Sequence, residues 1–276
     1  MRIAGEKKDR PASGIRHPKW VEALRRFRIV DAHVHNWGLF SEADDLAWYL
    51  DRFGLHAVAL LSDLRGDGAP DPARIEASNE ATARVRDRIG NRIIPFCYVN
   101  AMHTDHAVQE VDRWDAEGFR GLKLWISEHA TDPRTYTVVE AALEKDWPIY
   151  YHSYYRPHGA APHSESPPME VAELARRYPE GRFIMAHMGA QFEHGLNAVA
   201  DCPNVVVDYA GTVNEKGAYE TALRLLGPDR IVFGTDMPAC FYTNAGRVLE
   251  LEASDAVKQE IFADNFLRLL EKPIGS

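Results

Sequence analysis

The sequence predicts an α/β fold in which a single domain forms a (β/α)₈ TIM barrel, a parallel barrel of eight strands. Eight short apolar runs recur along the chain, and each is followed by a polar turn and a stretch with helical spacing. The runs begin about 22 to 36 residues apart, which is the size of a strand plus a crossover helix. They are almost continuously apolar, as expected for strands that are covered on both faces. Eight such units in about 245 residues match the size of this barrel.

The eight apolar runs provide the strands of the predicted barrel. They are, in chain order, RIVDAHVH (28–35), HAVALLSD (56–63), RIIPFCYVN (92–100), FRGLKLW (119–125), WPIYYHSY (147–154), RFIMAHMG (182–189), NVVVDYAG (204–211) and RIVFGTD (230–236). The barrel is predicted to occupy residues 28–276, after a polar N-terminal leader of residues 1–27. An open, doubly wound sheet is the structural alternative, but it commonly has a glycine-rich phosphate loop after its first strand, and none follows RIVDAHVH.

The composition limits the partners that the chain is expected to bind. Of the 276 residues 45% are hydrophobic, and the formal net charge is -9 at pH 7. The negative charge argues against nucleic-acid binding, which needs clustered lysine and arginine. No stretch approaches the ~18 consecutive apolar residues of a membrane span, and the leader lacks the apolar segment of a signal peptide. Cys97, Cys202 and Cys240 lie far apart, which favours free thiols and a cytoplasmic location.

Ionisable side chains end several of the predicted strands. Because side chains alternate between the two faces of a strand, His33 and His35 are expected to point the same way, about 7 Å apart. The carboxyl ends of the strands in a parallel barrel surround one mouth, where active sites are built. The residues predicted to face this mouth are His33, His35, Lys123, His152, His187 and Asp236. Imidazole nitrogens together with a carboxylate suit zinc and related divalent metals.

Each of these residues also has a purely structural explanation. His152 or His187 by itself is more often a hydrogen-bonded structural residue, and Asp236 before Pro238 fits a turn. Together, however, five of them terminate independent strands at the end of the barrel where chemistry occurs. Lys123 has three open roles: it pairs with a buried carboxylate, it positions the substrate, or it carries a carbamate that bridges two metals.

Further polar residues are predicted near the barrel mouth. His129, His158 and His163 follow the fourth and fifth runs, where they would line the opening for the substrate. The segment SYYRPHGAAPHSESPP (153–168) is the least regular part of the array, and it is expected to overhang the mouth as a long loop. Cys240 also comes close to the mouth, but no neighbouring residue indicates an activated nucleophile.

Five segments occur in an order that is found in a known family. They are DAHVH (31–35), GFRGLKLW (118–125), YYHSY (150–154), FIMAHMG (183–189) and IVFGTDMP (231–238). With them the chain resembles the amidohydrolase superfamily, and specifically the amidohydrolase-2 branch that includes lactonases and relatives of aminocarboxymuconate-semialdehyde decarboxylase. The resemblance implies a barrel with a divalent metal, zinc or else manganese, and a homodimer. It implies that the metal is held by His33, His35, His152 and Asp236.

The resemblance also implies a reaction. The chain is expected to be a metal-dependent hydrolase that opens a small carboxylic ester or lactone, or cleaves an amide, with a metal-activated water. His187 is expected beside that water, and Asp236 or His187 is expected to move its proton. Lys123 completes the expected catalytic set.

Two other functions fit the same residues. A non-oxidative decarboxylase of a small carboxylic acid uses nearly the same ligands, and a non-catalytic barrel that binds a metal or ligand keeps the pocket without the chemistry. The expected partner is a small molecule, most simply a carboxylate, and cations in the mouth loops suit a carboxylate in either reaction. These cations are Arg65, Arg134 and Arg156.

Overall fold

Parallel strands form the centre of the protein. The computed structural model describes residues 19–37, 42–64, 68–156, 165–211 and 215–271. Its strands are β1 (Val30–His35), β2 (Ala57–Ser62), β3 (Ile93–Pro95), β4 (Cys97–Val99), β5 (Leu122–Leu124), β6 (Ile149–Tyr151), β7 (Phe183–Met185), β8 (Val205–Asp208) and β9 (Ile231–Val232). All the paired strands run parallel. β3 and β4 are two halves of one barrel strand that is interrupted at Phe96, so the segments correspond to the eight predicted runs.

Helices alternate with the strands along the chain. They are α1 (Lys19–Leu24), α2 (Ala43–Phe53), α3 (Pro72–Ile89), α4 (Thr104–Ala116), α5 (Pro133–Glu144), α6 (Pro168–Arg177), α7 (Phe192–Val199), α8 (Ala218–Leu226), α9 (Phe241–Glu250), α10 (Asp255–Gln259) and α11 (Asn265–Glu271). Within the described ranges, none of them combines the length and the apolar character that a membrane crossing requires.

Backbone contacts between the first and last strands close the array. The N–H of Ala32 donates to Phe233 O over 2.9 Å, and the N–H of Asp236 donates to His33 O over 2.7 Å. Val34 and Asp236 also form a parallel bridge. The other gap is joined at Phe96, whose N–H donates to Leu60 O of β2 over 3.0 Å. The predicted barrel is therefore confirmed.

Alternation along the strands decides which side chains face the barrel interior. The first and third residues of β5, β6 and β8 pack in the large outer core, against the helices. The residues between them, such as Tyr150 and Val206, belong to a second cluster inside the barrel, with Phe266 of α11. Lys123 takes the same inward position in β5, and Asp208 takes it at the end of β8. The interior thus receives its polar groups from the strands themselves.

The chain before the predicted barrel also packs against it. Residues 1–18 of the predicted leader lie outside the described residues, whereas α1 belongs to the second part of that leader. Leu24 and Phe27 are buried in the outer core. Packed structure therefore begins upstream of residue 28, and the domain boundary at that residue stays a prediction.

A short 3₁₀ turn, Ala186–Gly189, carries His187 beyond the end of β7. His187 (φ 60°) and Met188 (φ 47°) adopt left-handed backbone conformations, which cost energy for residues that have a Cβ atom. Helix α7 packs against this turn at Gly195, where an added Cβ would overlap the carbonyl group of Met188. The absence of a side chain at Gly195 therefore lets α7 approach and support the turn.

Replacing Gly195 with alanine is expected to lower the free energy of unfolding by about 1–3 kcal/mol, because the Met188 backbone must move to admit the new methyl group. Gly246 in α9 provides the matched control, since no atom lies within 4 Å of a Cβ built there. Gly246→Ala should be neutral or stabilising by up to about 1 kcal/mol, because alanine is the better helix former. Urea unfolding of both variants measures the difference, and equal changes would contradict this packing.

Candidate active site

The two histidines of β1 are held by buried acceptors behind the site. His33 Nδ1 lies 2.8 Å from Asp208 Oδ2, and His35 Nδ1 lies 3.1 Å from the carbonyl oxygen of Ser62. These contacts place the proton of each neutral ring on Nδ1 and leave Nε2 with a free lone pair. Burial lowers the pKa of His33 to about 4, and burial also lowers the pKa of His35 well below its ordinary value. Both rings are therefore neutral at pH 7.

Asp236 brings a carboxylate to the same point. Its Oδ1 lies 3.5 Å from His33 Nε2 and 3.6 Å from His35 Nε2. The eighth predicted run was expected to remain a strand up to Asp236, but β9 ends at Val232 and Asp236 lies on the following loop, with a left-handed backbone (φ 64°). Although burial raises the pKa of Asp236, the neighbouring His33 and His187 hold it below its ordinary value. The loop thus presents an ionised carboxylate to the two imidazoles.

His187 lies in the same cluster. One ligand-type atom from each of His33, His187 and Asp236 lies within 4.8 Å of the other two. His187 Nδ1 is 2.9 Å from Ala210 O, which places a proton on Nδ1 and turns Nε2 away from the backbone. The structure therefore places the predicted catalytic histidine in one cluster with two of the predicted ligands, His33 and Asp236.

His152, which is predicted as a metal ligand, has both ring nitrogens engaged. Its Nδ1 lies 3.2 Å from His187 Nε2, and its Nε2 lies 3.2 Å from Glu165 Oε1. Full hydrogen bonding along this row, from Ala210 O to Glu165, needs three protons on the two rings, one more than two neutral imidazoles carry. Burial lowers the pKa of His152 to about 3. His152 must release one of these contacts before it binds a metal, and its role as a ligand stays a prediction.

Lys123 is fully buried between an imidazole and an aromatic ring. Its Nζ lies 3.4 Å from His33 Nε2 and 4.7 Å from the centre of the Tyr150 ring. Burial lowers the pKa of Lys123 to about 8, although the charges of Asp208 and Asp236 act to raise it. Among the described residues Lys123 has no carboxylate within 4.0 Å, which weighs against a direct ion pair. Its catalytic role stays a prediction.

Two buried carboxylates of the site were not among the predicted residues. Asp208 Oδ2 accepts from Tyr150 OH as well as from His33, while Asp208 Oδ1 accepts from the backbone N–H groups of His187 and Ala210. Burial acts to raise the pKa of Asp208, but its contacts with His33, His187 and the Tyr150 hydroxyl outweigh burial and hold the pKa below its ordinary value. The signal was present, because Asp208 directly follows the apolar residues 205–207 of the seventh run, just as His187 directly follows the apolar residues 183–186 of the sixth.

Asp31 is the second of these carboxylates, and it supports the loop that carries Asp236. Its Oδ2 accepts from Tyr49 OH over 2.8 Å and from Thr235 Oγ1 over 2.7 Å, and its Oδ1 accepts from the N–H of Thr235 over 2.9 Å. Burial raises the pKa of Asp31 to about 7. Its position inside the first strand, before the two histidines, gave no sequence signal for this role.

Aromatic rings border the centre on the side of the mouth. Trp125 lies 5.2 Å from the His35 ring, and Tyr154 stacks on His152 at 6.1 Å with an angle of 10° between the planes. The Arg156 guanidinium lies 4.5 Å from the centre of the Tyr154 ring. Arg156 Nε donates to Glu165 Oε2 over 2.6 Å, so the positive charge of Arg156 is paired with the carboxylate of Glu165.

The other residues predicted near the mouth have separate partners or are not described. Arg134 pairs with Asp132 and Glu128, and His129 pairs with Glu170. Burial raises the pKa of the Cys240 thiol, which agrees with the expectation that it is no activated nucleophile. The two described ends of the predicted loop (153–168) are in contact, since the N–H of residue 154 donates to the carbonyl oxygen of residue 166 over 3.1 Å. Arg65, His158 and His163 lie outside the described residues.

Comparison with known proteins identifies the family to which the chain belongs. The amidohydrolase family model Amidohydro_2 matches residues 30–272. The chain belongs to the amidohydrolase family. The match covers all eight strands and every residue of the centre, so the predicted superfamily is confirmed and the chain is an enzyme of that superfamily. No curated protein matches the chain at a significant level.

Several solved structures share the fold of this amidohydrolase. A 2,6-dihydroxybenzoate decarboxylase from Rhizobium has 16% identity and a TM-score of 0.71, over 88% of this chain and 98% of that chain. A dihydroxybenzoic acid decarboxylase from Polaromonas sp. JS666, with bound manganese and 2-nitroresorcinol, has 17% identity and a TM-score of 0.68, over 88% and 97%. A probable 2-pyrone-4,6-dicarboxylic acid hydrolase from Acinetobacter baumannii, with citric acid bound, has 12% identity and a TM-score of 0.62, over 88% and 99%.

The depressed pKa of Lys123 predicts how stability depends on pH in the metal-free protein. Folded Lys123 releases its proton near pH 8, whereas the unfolded chain keeps it up to the ordinary value of 10.5. Between these values the unfolded state binds more protons, so the free energy of unfolding rises with pH, by up to about 3 kcal/mol.

Lys123→Met, which keeps the length of the side chain without the charge, should lack this rise. Urea unfolding of both proteins between pH 7.5 and 10.5, with a chelator present, measures the free energy of unfolding against pH. The difference between the two curves removes the contribution of the groups that the two proteins share. Parallel curves would contradict the buried, easily deprotonated amine.

Proposed function

We propose that this amidohydrolase is a metal-dependent hydrolase that opens a small carboxylic ester or lactone, or cleaves an amide. The observation that carries the proposal is the convergence of His33 Nε2, His35 Nε2 and Asp236 Oδ1 on one point, with His187 in the same cluster. The expected homodimer stays a prediction.

The donor set fits a divalent metal. Zinc ligands lie 2.0–2.2 Å from the ion, so two ligands at a tetrahedral angle are about 3.4 Å apart. The distances from Asp236 Oδ1 to the two Nε2 atoms, 3.5 and 3.6 Å, are close to this value. Asp208 and Ser62 hold the Nδ1 atoms of His33 and His35, as acceptors behind metal-binding histidines commonly do. Zinc is the expected ion, and the manganese in the Polaromonas relative makes manganese the alternative.

The residues around this donor set suit the addition of water to a carbonyl group. When bound, a divalent metal polarises a carbonyl oxygen and makes a nearby water more acidic. Asp236 uses Oδ1 toward the imidazoles, which leaves Oδ2 to accept the proton of the attacking water. Gly211 flanks this oxygen: a Cβ built on it would lie 3.4 Å from Asp236 Oδ2 and 3.5 Å from His187 Nδ1. The glycine therefore keeps the space beside the proposed base open.

His187 is placed to supply the second proton transfer. As the bond from the carbonyl carbon to the leaving oxygen or nitrogen breaks, His187 Nε2 donates a proton to the leaving atom. The proton that Asp236 takes from the water returns to His187 Nε2 after the bond breaks, which completes the cycle. His152 Nδ1 lies 3.2 Å from His187 Nε2 and orients that nitrogen, while Glu165 Oε1 holds the other ring nitrogen of His152. The products are a carboxylic acid and an alcohol or amine.

Decarboxylation is the second candidate, and one feature of the mouth favours it. Trp125 and Tyr154 provide flat aromatic surfaces beside His35 and His152, which suits an aromatic acid. The Rhizobium and Polaromonas relatives are decarboxylases of dihydroxybenzoic acids. A non-catalytic barrel has less support, because the chain belongs to a family of enzymes and because His33, His35 and Asp236 converge on one point.

Product analysis distinguishes the two reactions. Zinc-loaded protein is offered a panel of small lactones, esters and amides in a pH-stat, and a panel of hydroxybenzoic acids in a sealed cell with a carbon dioxide detector. We expect acid release from a member of the first panel and no carbon dioxide from the second. Carbon dioxide release without turnover of any ester, lactone or amide would show that the enzyme is a decarboxylase.

Asp236→Asn tests the proposed base. Asparagine keeps the shape of the side chain but removes its charge and basicity, so kcat should fall by ~10² or more while the protein stays folded. Metal binding should weaken, and saturating zinc should not restore turnover. Steady-state kinetics at saturating zinc and thermal unfolding of the same samples provide the two measurements. Turnover close to wild type in a folded, zinc-loaded variant would exclude this mechanism.

A further inference from the structure

We propose that Asp208 is a positioning residue for both halves of the active site, because one of its oxygens orients the ring of His33 while the other holds the backbone of His187. The inference rests on the proposed function for the roles of these two histidines. The orientation of the His33 ring and of the turn that carries His187 can be tested without any catalytic assay.

Asp208 Oδ2 determines which nitrogen of His33 faces the centre. His33 Nδ1 lies 2.8 Å from this oxygen, and Tyr150 OH donates to the same atom. An ionised carboxylate only accepts hydrogen bonds, so the His33 proton must be on Nδ1. His33 Nε2 is then an acceptor that faces Lys123 Nζ at 3.4 Å and Asp236 Oδ1 at 3.5 Å.

Asp208 Oδ1 supports the turn that carries His187. It accepts from the backbone N–H of His187 over 2.8 Å and from the N–H of Ala210 over 2.9 Å. His187 and Met188 both have left-handed backbones, with φ of 60° and 47°, a conformation that is unfavourable for residues with a Cβ atom. Hydrogen bonds from backbone N–H groups to a buried carboxylate are of the strong, charge-assisted kind and offset part of this cost.

Only an acceptor with two equivalent oxygens can serve both groups. Asp208 is fully buried and faces four donors, which match the four acceptor positions of a carboxylate. An amide in its place has one acceptor end and one donor end. Because the backbone N–H groups of His187 and Ala210 cannot become acceptors, the oxygen of Asp208→Asn should face them. Its NH₂ group then faces His33 and forces the ring proton from Nδ1 to Nε2.

The tautomer of His33 is the first readout. In metal-free protein labelled with ¹⁵N-histidine, the His33 signals are assigned from their absence in His33→Asn. We expect the Nδ1–H form in the wild type and the Nε2–H form in Asp208→Asn. Tyr150→Phe is the matched control, since it removes one donor to the same carboxylate oxygen but leaves the carboxylate, and it should keep the Nδ1–H form. An Nε2–H form in the wild type would overturn the proposal, and this measurement needs no variant of Asp208 to fold.

Zinc affinity is the second readout, measured by competition with a fluorescent chelator. Loss of the partner behind a ligating histidine weakens metal binding by roughly 10–100-fold, and we expect a loss in this range for Asp208→Asn but not for Tyr150→Phe. A folded Asp208→Asn protein with wild-type affinity and the Nδ1–H form would contradict the proposal. If the tautomer and the affinity change as expected but the wild type hydrolyses no substrate of the panel, the proposed function fails and the role of Asp208 stands.

Discussion

The hydrogen bond from the Asp236 N–H to His33 O, 2.7 Å long, is the contact on which the rest of the centre depends. It joins the last strand of the barrel to the first. The same contact places the Asp236 carboxylate 3.5 Å from His33 Nε2 and 3.6 Å from His35 Nε2. Asp31 fixes this arrangement through Thr235, the residue before Asp236. The contact that closes the barrel therefore also assembles the donor set, since His33 and His35 come from the first strand and Asp236 follows the last strand.

Burial then determines the electrostatics of this closed interior. Charged groups that leave water need partners, and the buried carboxylate of Asp208 has four hydrogen-bond donors around it. Lys123 is the contrasting case, because its nearest contacts are an imidazole nitrogen and the Tyr150 ring, and burial lowers its pKa to about 8. The centre thus presents lone pairs of His33 and His35 and a carboxylate to a shared space. This arrangement is complementary to a cation.

The barrel and most of its polar residues could be predicted because both follow from local periodicity. Strand spacing predicts the array, and alternation predicts that His33 and His35 share a face. The contact of His152 with His187 and Glu165 was not predictable, since it depends on the turn after β7 and on the path of the long loop that contains Glu165. The left-handed backbones at His187 and Asp236 have no sequence signal, because neither residue is glycine. Asp208 was overlooked although it directly follows the apolar residues of the seventh run.

The central claim is that this donor set holds a divalent metal for catalysis. The most direct measurement is the zinc content of protein that has been stripped with a chelator, dialysed against excess zinc and desalted, with His33→Asn as the comparison. Four ligand-type residues at one mouth predict about one equivalent of zinc per chain in the wild type and a strongly reduced content in the variant. About two equivalents would instead support a carbamate on Lys123 that bridges two ions. Wild-type protein that retains no zinc would contradict the account.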